Sequence, residues 1–171
     1  SADGETLYLS DGEVQLVQKL EFPRQYGNVS YGLPVGGEAY GYFENATRGK
    51  KNEKTAYAAR TESPGLLTAG GFYADAVTVQ ARLPEGAVLR YTTDGETPTA
   101  KDALFPAEGL TLTKTTALRI RAFRENEVPS AAVSATYFIN DDPLTPIVSL
   151  VTDDQYLFNR KTGALVKGSG D

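Results

Sequence analysis

Val77-Thr78-Val79-Gln80-Ala81-Arg82-Leu83 alternates apolar and polar residues, Pro84-Glu85-Gly86 turns, and Val88-Leu89-Arg90-Tyr91-Thr92-Thr93 returns before Asp94-Gly95-Glu96-Thr97-Pro98 turns again. A period of two bounded by Pro, Gly and Asp is the signature of short strands joined by tight turns. Further strands are expected at Leu110-Thr111-Leu112, over Ala117-Leu118-Arg119-Ile120-Arg121-Ala122-Phe123-Arg124 and from Ala131 to Ile139. Leu118, Ile120 and Ala122 fall on one face and Arg119 and Arg121 on the other, so one wall is buried and one wet. Turn signals recur every 8–12 residues and no long helical period interrupts them, which argues for an antiparallel β-sandwich.

Outward from this stretch, residues 1–52 carry strand-like alternation at Leu7 and Leu9 and again at Val14 and Leu16, flanking Ser10-Asp11-Gly12-Glu13 as a hairpin turn. Leu20 and Phe22 begin a third alternation that Pro23 stops. A Gly-rich stretch with Tyr26, Tyr31, Tyr40 and Tyr42 follows. Those rings either present faces to a ligand or close the end of a small sandwich as half-buried side chains, and the second reading is the favoured one. Residues 53–66 are polar and Ala-rich, with room for a helical turn or two before Pro64-Gly65, and read as a linker. Residues 67–140 are the sandwich. Residues 141–171 hold a strand at Ile147–Val151 and a turn and strand from Leu157-Phe158 to Gly168, too few to make a domain. The fold class expected is all-β, two small immunoglobulin-like antiparallel sandwich units, the first short of strands.

The 171-residue chain has 17 basic and 22 acidic side chains and no Cys, His, Met or Trp. An acidic balance without a basic stripe argues against nucleic-acid binding. Without His or Cys the usual zinc, haem and iron–sulfur ligands and any His-based triad are missing. No cofactor is expected, and no stretch reaches the roughly 18 apolar residues of a membrane span. Lacking an initiator Met, running from Ser1 to Asp171, the chain reads as a piece of something longer.

Candidate chemistry is sparse. Asp141-Asp142 and Asp153-Asp154 bracket the Ile147 strand as weak oxygen ligands for calcium, against the commoner role of solvated turn or cap residues. Asp94 and Glu96 lie too close on a tight turn for acid/base work and read as structural, Asp94 accepting turn amides and Gly95 supplying a positive φ. The glycines of Gly163–Ser169 have phosphate-loop spacing, but Lys167 precedes Gly168 instead of following it. A sugar presents apolar C–H faces that stack on rings, so Tyr26, Tyr31, Tyr40, Tyr42, Phe72 and Tyr73 are the ligand-binding candidates.

Leu67-Thr68-Ala69-Gly70-Gly71-Phe72-Tyr73, the Val77–Val79 strand, the run Arg90 to Thr99, Arg119–Phe123 and Thr136-Tyr137-Phe138-Ile139 together resemble the chitobiase/β-hexosaminidase C-terminal domain family, an immunoglobulin-like accessory module. In that family the run resembling Tyr91 to Pro98 is a hallmark. Pro146–Asp153, Leu157-Phe158 and Gly163–Gly168 are similar to the opening of the spore-coat CotH family, whose full members have an atypical kinase-like fold. Only the opening is present, so the resemblance assigns no catalytic residue. Leu7–Ser10, Gly12, Tyr31-Gly32, Gly37, Tyr42-Phe43 and Ala46–Asn52 resemble the second half of a lamin-tail domain, departing from it at Arg48, where Pro is usual, and at Leu33, where Arg is common. This order of domains implies a bacterial surface or secreted protein. The expectation is a non-catalytic accessory or spacer module with an interface between its two units, partnered by adjoining domains. The alternative is a carbohydrate-binding module that takes a polysaccharide on its tyrosines. The strand-poor first unit also suggests a homodimer formed by strand addition.

Overall fold

A computed structural model describes residues 3–161 and 163–166. The chain divides into two compact units, Ser1–Arg60 with Asn126–Val128, and Thr61–Glu125 with Pro129–Asp171.

The first unit is built from β1 (Glu5–Ser10), β2 (Leu16–Phe22), β3 (Ser30–Gly32) and β4 (Gly41–Phe43). β1 and β2 form an antiparallel hairpin in which Leu7 opposes Leu20, with an irregularity between Leu9 and Ser10. Leu20 and Phe22 thus belong to the hairpin's second strand and do not start a third. The turn also departs from a two-residue Asp-Gly connection. Asp11 Oδ1 accepts the amides of Glu13 and Gln15, at 3.0 and 2.9 Å. The left-handed residue of the loop is Val14, φ +66°. This is the position at which a three-residue hairpin loop ordinarily places Gly. β3 and β4 pair with Tyr31 opposite Tyr42. Glu53–Arg60 holds no helix: Tyr57 bridges to Tyr42, its amide and carbonyl exchanging bonds of 2.8 and 2.7 Å with that residue.

The second unit contributes β5 (Gly65–Leu66), β6 (Gly71–Tyr73), β7 (Val77–Val79), β8 (Ala81–Arg82), β9 (Val88–Thr92), β10 (Ala103–Leu104), β11 (Leu110–Leu112), β12 (Thr116–Phe123) and β13 (Val133–Ile139). The run from Val77 to Leu83 is broken at Gln80, whose amide and carbonyl turn to Thr68 Oγ1 and the Leu67 amide, both at 2.9 Å. As a result β7 pairs with β11 while β8 pairs with β5. The main sheet has the order β10-β9-β12-β13-β6. Its neighbours are antiparallel except β6, which runs parallel to β13 and so departs from the all-antiparallel expectation.

β12 alternates as its sequence requires, Leu118, Ile120 and Ala122 being wholly buried. These three join Val77, Val79, Leu89, Leu112 and Tyr137 in one core, so the β7–β11 pair and the five-stranded sheet share a single apolar interior. Each large side chain buried there contributes about 1.5–3 kcal/mol. The architecture is an all-β, immunoglobulin-like sandwich.

After β13 the chain differs most from expectation. Ile147–Val151 forms no strand: Ser149 meets β13 through its hydroxyl, 2.5 Å from Thr136 Oγ1. Leu157 and Phe158 lie in α1 (Asp154–Phe158), a single helical turn opened by the acidic Asp154. Gly163, Ala164 and Leu165 fold back on it, their amides bonding the carbonyls of Asn159, Tyr156 and Leu157 at 2.7–2.9 Å, so no strand forms over 163–166. Lys167, Gly168 and Ser169, and with them the rest of the phosphate-loop spacing, lie outside the described residues.

Candidate functional site

Two places gather the residues singled out by sequence. The first is the turn between β9 and β10. Asp94 Oδ1 accepts the Glu96 amide at 3.0 Å, and Gly95 sits at φ +91°, where a side chain would be strained. Thr92 Oγ1 donates to the Glu96 carbonyl at 2.5 Å, closing the turn from its base. Asp94 and Glu96 therefore serve backbone amides, as a structural turn requires.

This turn is also a receptor for the chain that follows the sandwich. Arg119 leaves the wet face of β12 and donates through one guanidinium nitrogen to the Gly95 carbonyl, 2.7 Å, and to Asp153 Oδ1, 2.5 Å. Thr97 Oγ1 donates to the same carboxylate oxygen at 2.6 Å, and the Asp154 amide donates to Glu96 Oε1 at 2.9 Å. Both side chains of the ion pair are only 12% exposed. Burial pushes the Asp153 carboxyl up, but the hydrogen bonds from Thr97 and Arg119 and the arginine charge outweigh it and hold the group below its ordinary value. Removing one partner of such a pair leaves a buried charge uncompensated.

The second place is the tyrosine cluster of the first unit. Tyr31 and Tyr40 stack at 6.0 Å with 22° between their planes, while Tyr42 meets Tyr31 edge-on at 5.0 Å and Tyr26 at 5.5 Å. Arg24 and Arg60 lie over the Tyr26 ring at 5.8 and 5.1 Å. Tyr42 is a core residue, 5% exposed, whose hydroxyl donates to the Arg24 carbonyl at 2.7 Å. Burial, then Tyr26 and Tyr31, raise its pKa. Tyr40 is the outward ring, 38% exposed. It lines an open cleft of ≈ 410 Å³ with Pro34, Glu38, Lys54 and Tyr57.

The remaining candidates lie apart from both places. Tyr73 belongs to the second unit, donates to the Ala69 carbonyl at 2.6 Å and packs 6.0 Å from Tyr137. Its neighbour Phe72 stacks on Phe138 at 4.7 Å beside Asp141 and Asp142. Asp141 accepts the Thr115 hydroxyl, whereas Asp153 is engaged by Thr97 and Arg119. Among the described residues no three His, Cys, Asp or Glu side chains group around a metal position.

Sequence reading placed Arg119 on a solvated face and Tyr57 in a connector, and it overlooked Phe138 as a ring partner. Arg119 and Phe138 acquire their roles from partners more than thirty residues away, and Tyr57 from one across the unit, a relation that no local pattern encodes.

Fold and contacts together define an all-β, immunoglobulin-like sandwich. Within it, residues 68–134 match the family model of the chitobiase/beta-hexosaminidase C-terminal domain, a non-catalytic accessory domain family. No curated protein and no solved structure matches the chain. The family match starts just ahead of β6 and ends within β13, so it includes the hallmark turn and Arg119 but stops short of Asp153.

Proposed function

We propose that the chain is a non-catalytic stretch of a larger bacterial surface or secreted protein, in which the sandwich spaces and presents an adjoining CotH-like domain, the first unit being the end of a lamin-tail-like domain. The observation that carries this reading is the buried Arg119–Asp153 pair. A module that merely separates its neighbours needs no contact with the chain that leaves it, whereas one that presents the next domain must fix the point of departure. Here Asp153 and Asp154 are tied to the hallmark turn on both their side-chain and main-chain atoms.

Hydrogen exchange on the intact chain tests it. Amides around 153–158 are slow in the parent chain and fast in Arg119→Met, while the β12 amides change little. Fast exchange there in the parent protein removes the presenting role. Because the Asp153 pKa is lowered, the anchor is intact above the ordinary carboxylate value of 3.8 and is lost as pH falls through the lowered value, so the same amides lose protection in acid.

A second reading is a carbohydrate-binding module, favoured by the Tyr31–Tyr40 stack beside an open cleft. A polysaccharide binding screen with Tyr40→Ala decides it: binding that this variant loses supports the sugar reading, and no binding by the folded parent chain removes it. Tyr42 is unsuitable for this test because its ring is part of the core.

A further inference from the structure

We propose, resting on the presenting role, that the hallmark turn is a two-point receptor: it reads an aspartate together with the backbone amide of the residue that follows. Glu96 is the specificity-determining side chain, the one that reads the amide. The segment the turn accepts is therefore Asp-x, with x any residue but proline.

The two points are distinct. Asp153 Oδ1 accepts from Arg119 and from Thr97 Oγ1, at 2.5 and 2.6 Å. One residue on, the Asp154 amide donates to Glu96 Oε1 at 2.9 Å. Asp153 stands just before α1 with extended backbone, φ −66° and ψ 139°, a position from which an aspartate ordinarily turns its carboxylate onto the amides that follow. Its side chain makes no such bond. Arg119 and Thr97 hold the carboxylate, and Glu96, 58 residues from Asp154 in sequence, supplies an acceptor in its place. The exchange ties the segment to the turn twice within two residues.

The receiving half is fixed within the sandwich. The Glu96 amide donates to Asp94 Oδ1 and its carbonyl accepts the Thr92 hydroxyl, so only the Glu96 side chain remains to be aimed. A contact made from an ordered backbone costs less ordering when the partner docks. Geometry then sets what is accepted. Glutamate in place of Asp153 adds one methylene, about 1.5 Å, and cannot satisfy Thr97 and Arg119 while the next amide stays on Glu96. Asparagine has the same reach but leaves the Arg119 charge, only 12% exposed, without its counter-charge. Proline in place of Asp154 has no N–H to give. Glu96 also brings a second negative charge to the docked aspartate, offset only where an amide is donated to it, so a carboxylate without that amide is disfavoured.

Amide exchange in the full chain tests the proposal. The Tyr156 N–H, which bonds the Asp153 carbonyl at 2.9 Å, reports docking, and the β12 amides report the sandwich. Glu96→Leu and Asp154→Pro are each expected to lower Tyr156 protection about tenfold, the loss of one hydrogen bond of about 1.4 kcal/mol. Proline suits position 154, because it is favoured at the first helical residue and Asp153 already has the extended backbone that a following proline requires. Glu96→Gln keeps an acceptor oxygen and holds protection within about threefold of the parent chain. Glu96→Leu and Asp154→Pro remove the same bond, so the double variant loses no more than either alone. Asp153→Glu releases the segment as Arg119→Met does. Multiplying effects in the double variant, or parent-like protection in Glu96→Leu or Asp153→Glu while Arg119→Met releases the segment, overturns the two-point reading and leaves the presenting role standing. Protection that survives Arg119→Met removes both.

Discussion

Leu118 and Ile120 of β12 and Leu7 and Leu9 of β1 have the same chemistry and the same alternating spacing, yet the first pair is wholly buried and the second more than half exposed. β12 is flanked on both sides, by β9 and β13, and its inner face meets β7 and β11. Among the described residues β1 has one neighbour, β2. Alternation therefore specifies that a strand has an apolar face, and only the number of neighbouring layers determines whether that face is buried. The second unit is a closed core whose Asp94-Gly95 turn is held by hydrogen bonds of its own, whereas the first is a hairpin with exposed leucines beside an aromatic cluster.

Several substitutions would break or sharpen this contrast. The largest effect is expected from Leu118→Ala, which opens a cavity in the closed core and costs about 3–4 kcal/mol in urea unfolding, while Leu9→Ala changes stability by less than about 0.5 kcal/mol. Equal costs would erase the distinction. Next is an alkaline limit set by Tyr137, buried and donating to the Thr68 carbonyl at 2.8 Å, whose pKa burial pushes up to about 12. Because the folded group holds its proton to higher pH than the unfolded one, its stabilisation is present below pH 10 and about 2–3 kcal/mol of it is lost between pH 10 and 12. Tyr137→Phe should flatten that part of the stability profile. In the first unit, Tyr42→Phe removes one hydrogen bond while keeping the ring, a loss of about 1 kcal/mol by thermal or urea unfolding. The smallest effect has the opposite sign: Val14→Asn relieves a β-branched side chain at positive φ and stabilises the hairpin by about 0.5 kcal/mol, read from amide exchange in β1 and β2.

Much of the second unit was legible because its signals are local. The β9 strand, the Asp94-Gly95 turn, β11 and the inward–outward assignment of β12 all follow from period two and turn chemistry, and the structure keeps each of them. Legibility fails where a segment's fate depends on a partner far along the chain. Val77–Leu83 reads as one strand but splits at Gln80, because its two halves have different neighbours, β11 and β5. Ile147–Val151 has the composition of a buried strand, yet an apolar run becomes a strand only where its backbone pairs with another, and here the contact with β13 is made by the Ser149 side chain. Of the four loop tyrosines of the first unit, sequence could not say that Tyr42 is core and Tyr40 exposed, since both lie in one Gly-rich stretch and differ only in which ring each meets.

The sequence by itself determined the all-β class, the sandwich's core positions, the hallmark turn and the want of residues for His- or Cys-based chemistry, because alternation, turn propensity and composition act over a few residues. Tertiary structure alone decided that Arg119, on the outer side of its strand, is the anchor for Asp153. That pair joins groups distant in the chain, and such a contact exists only once the fold has placed them.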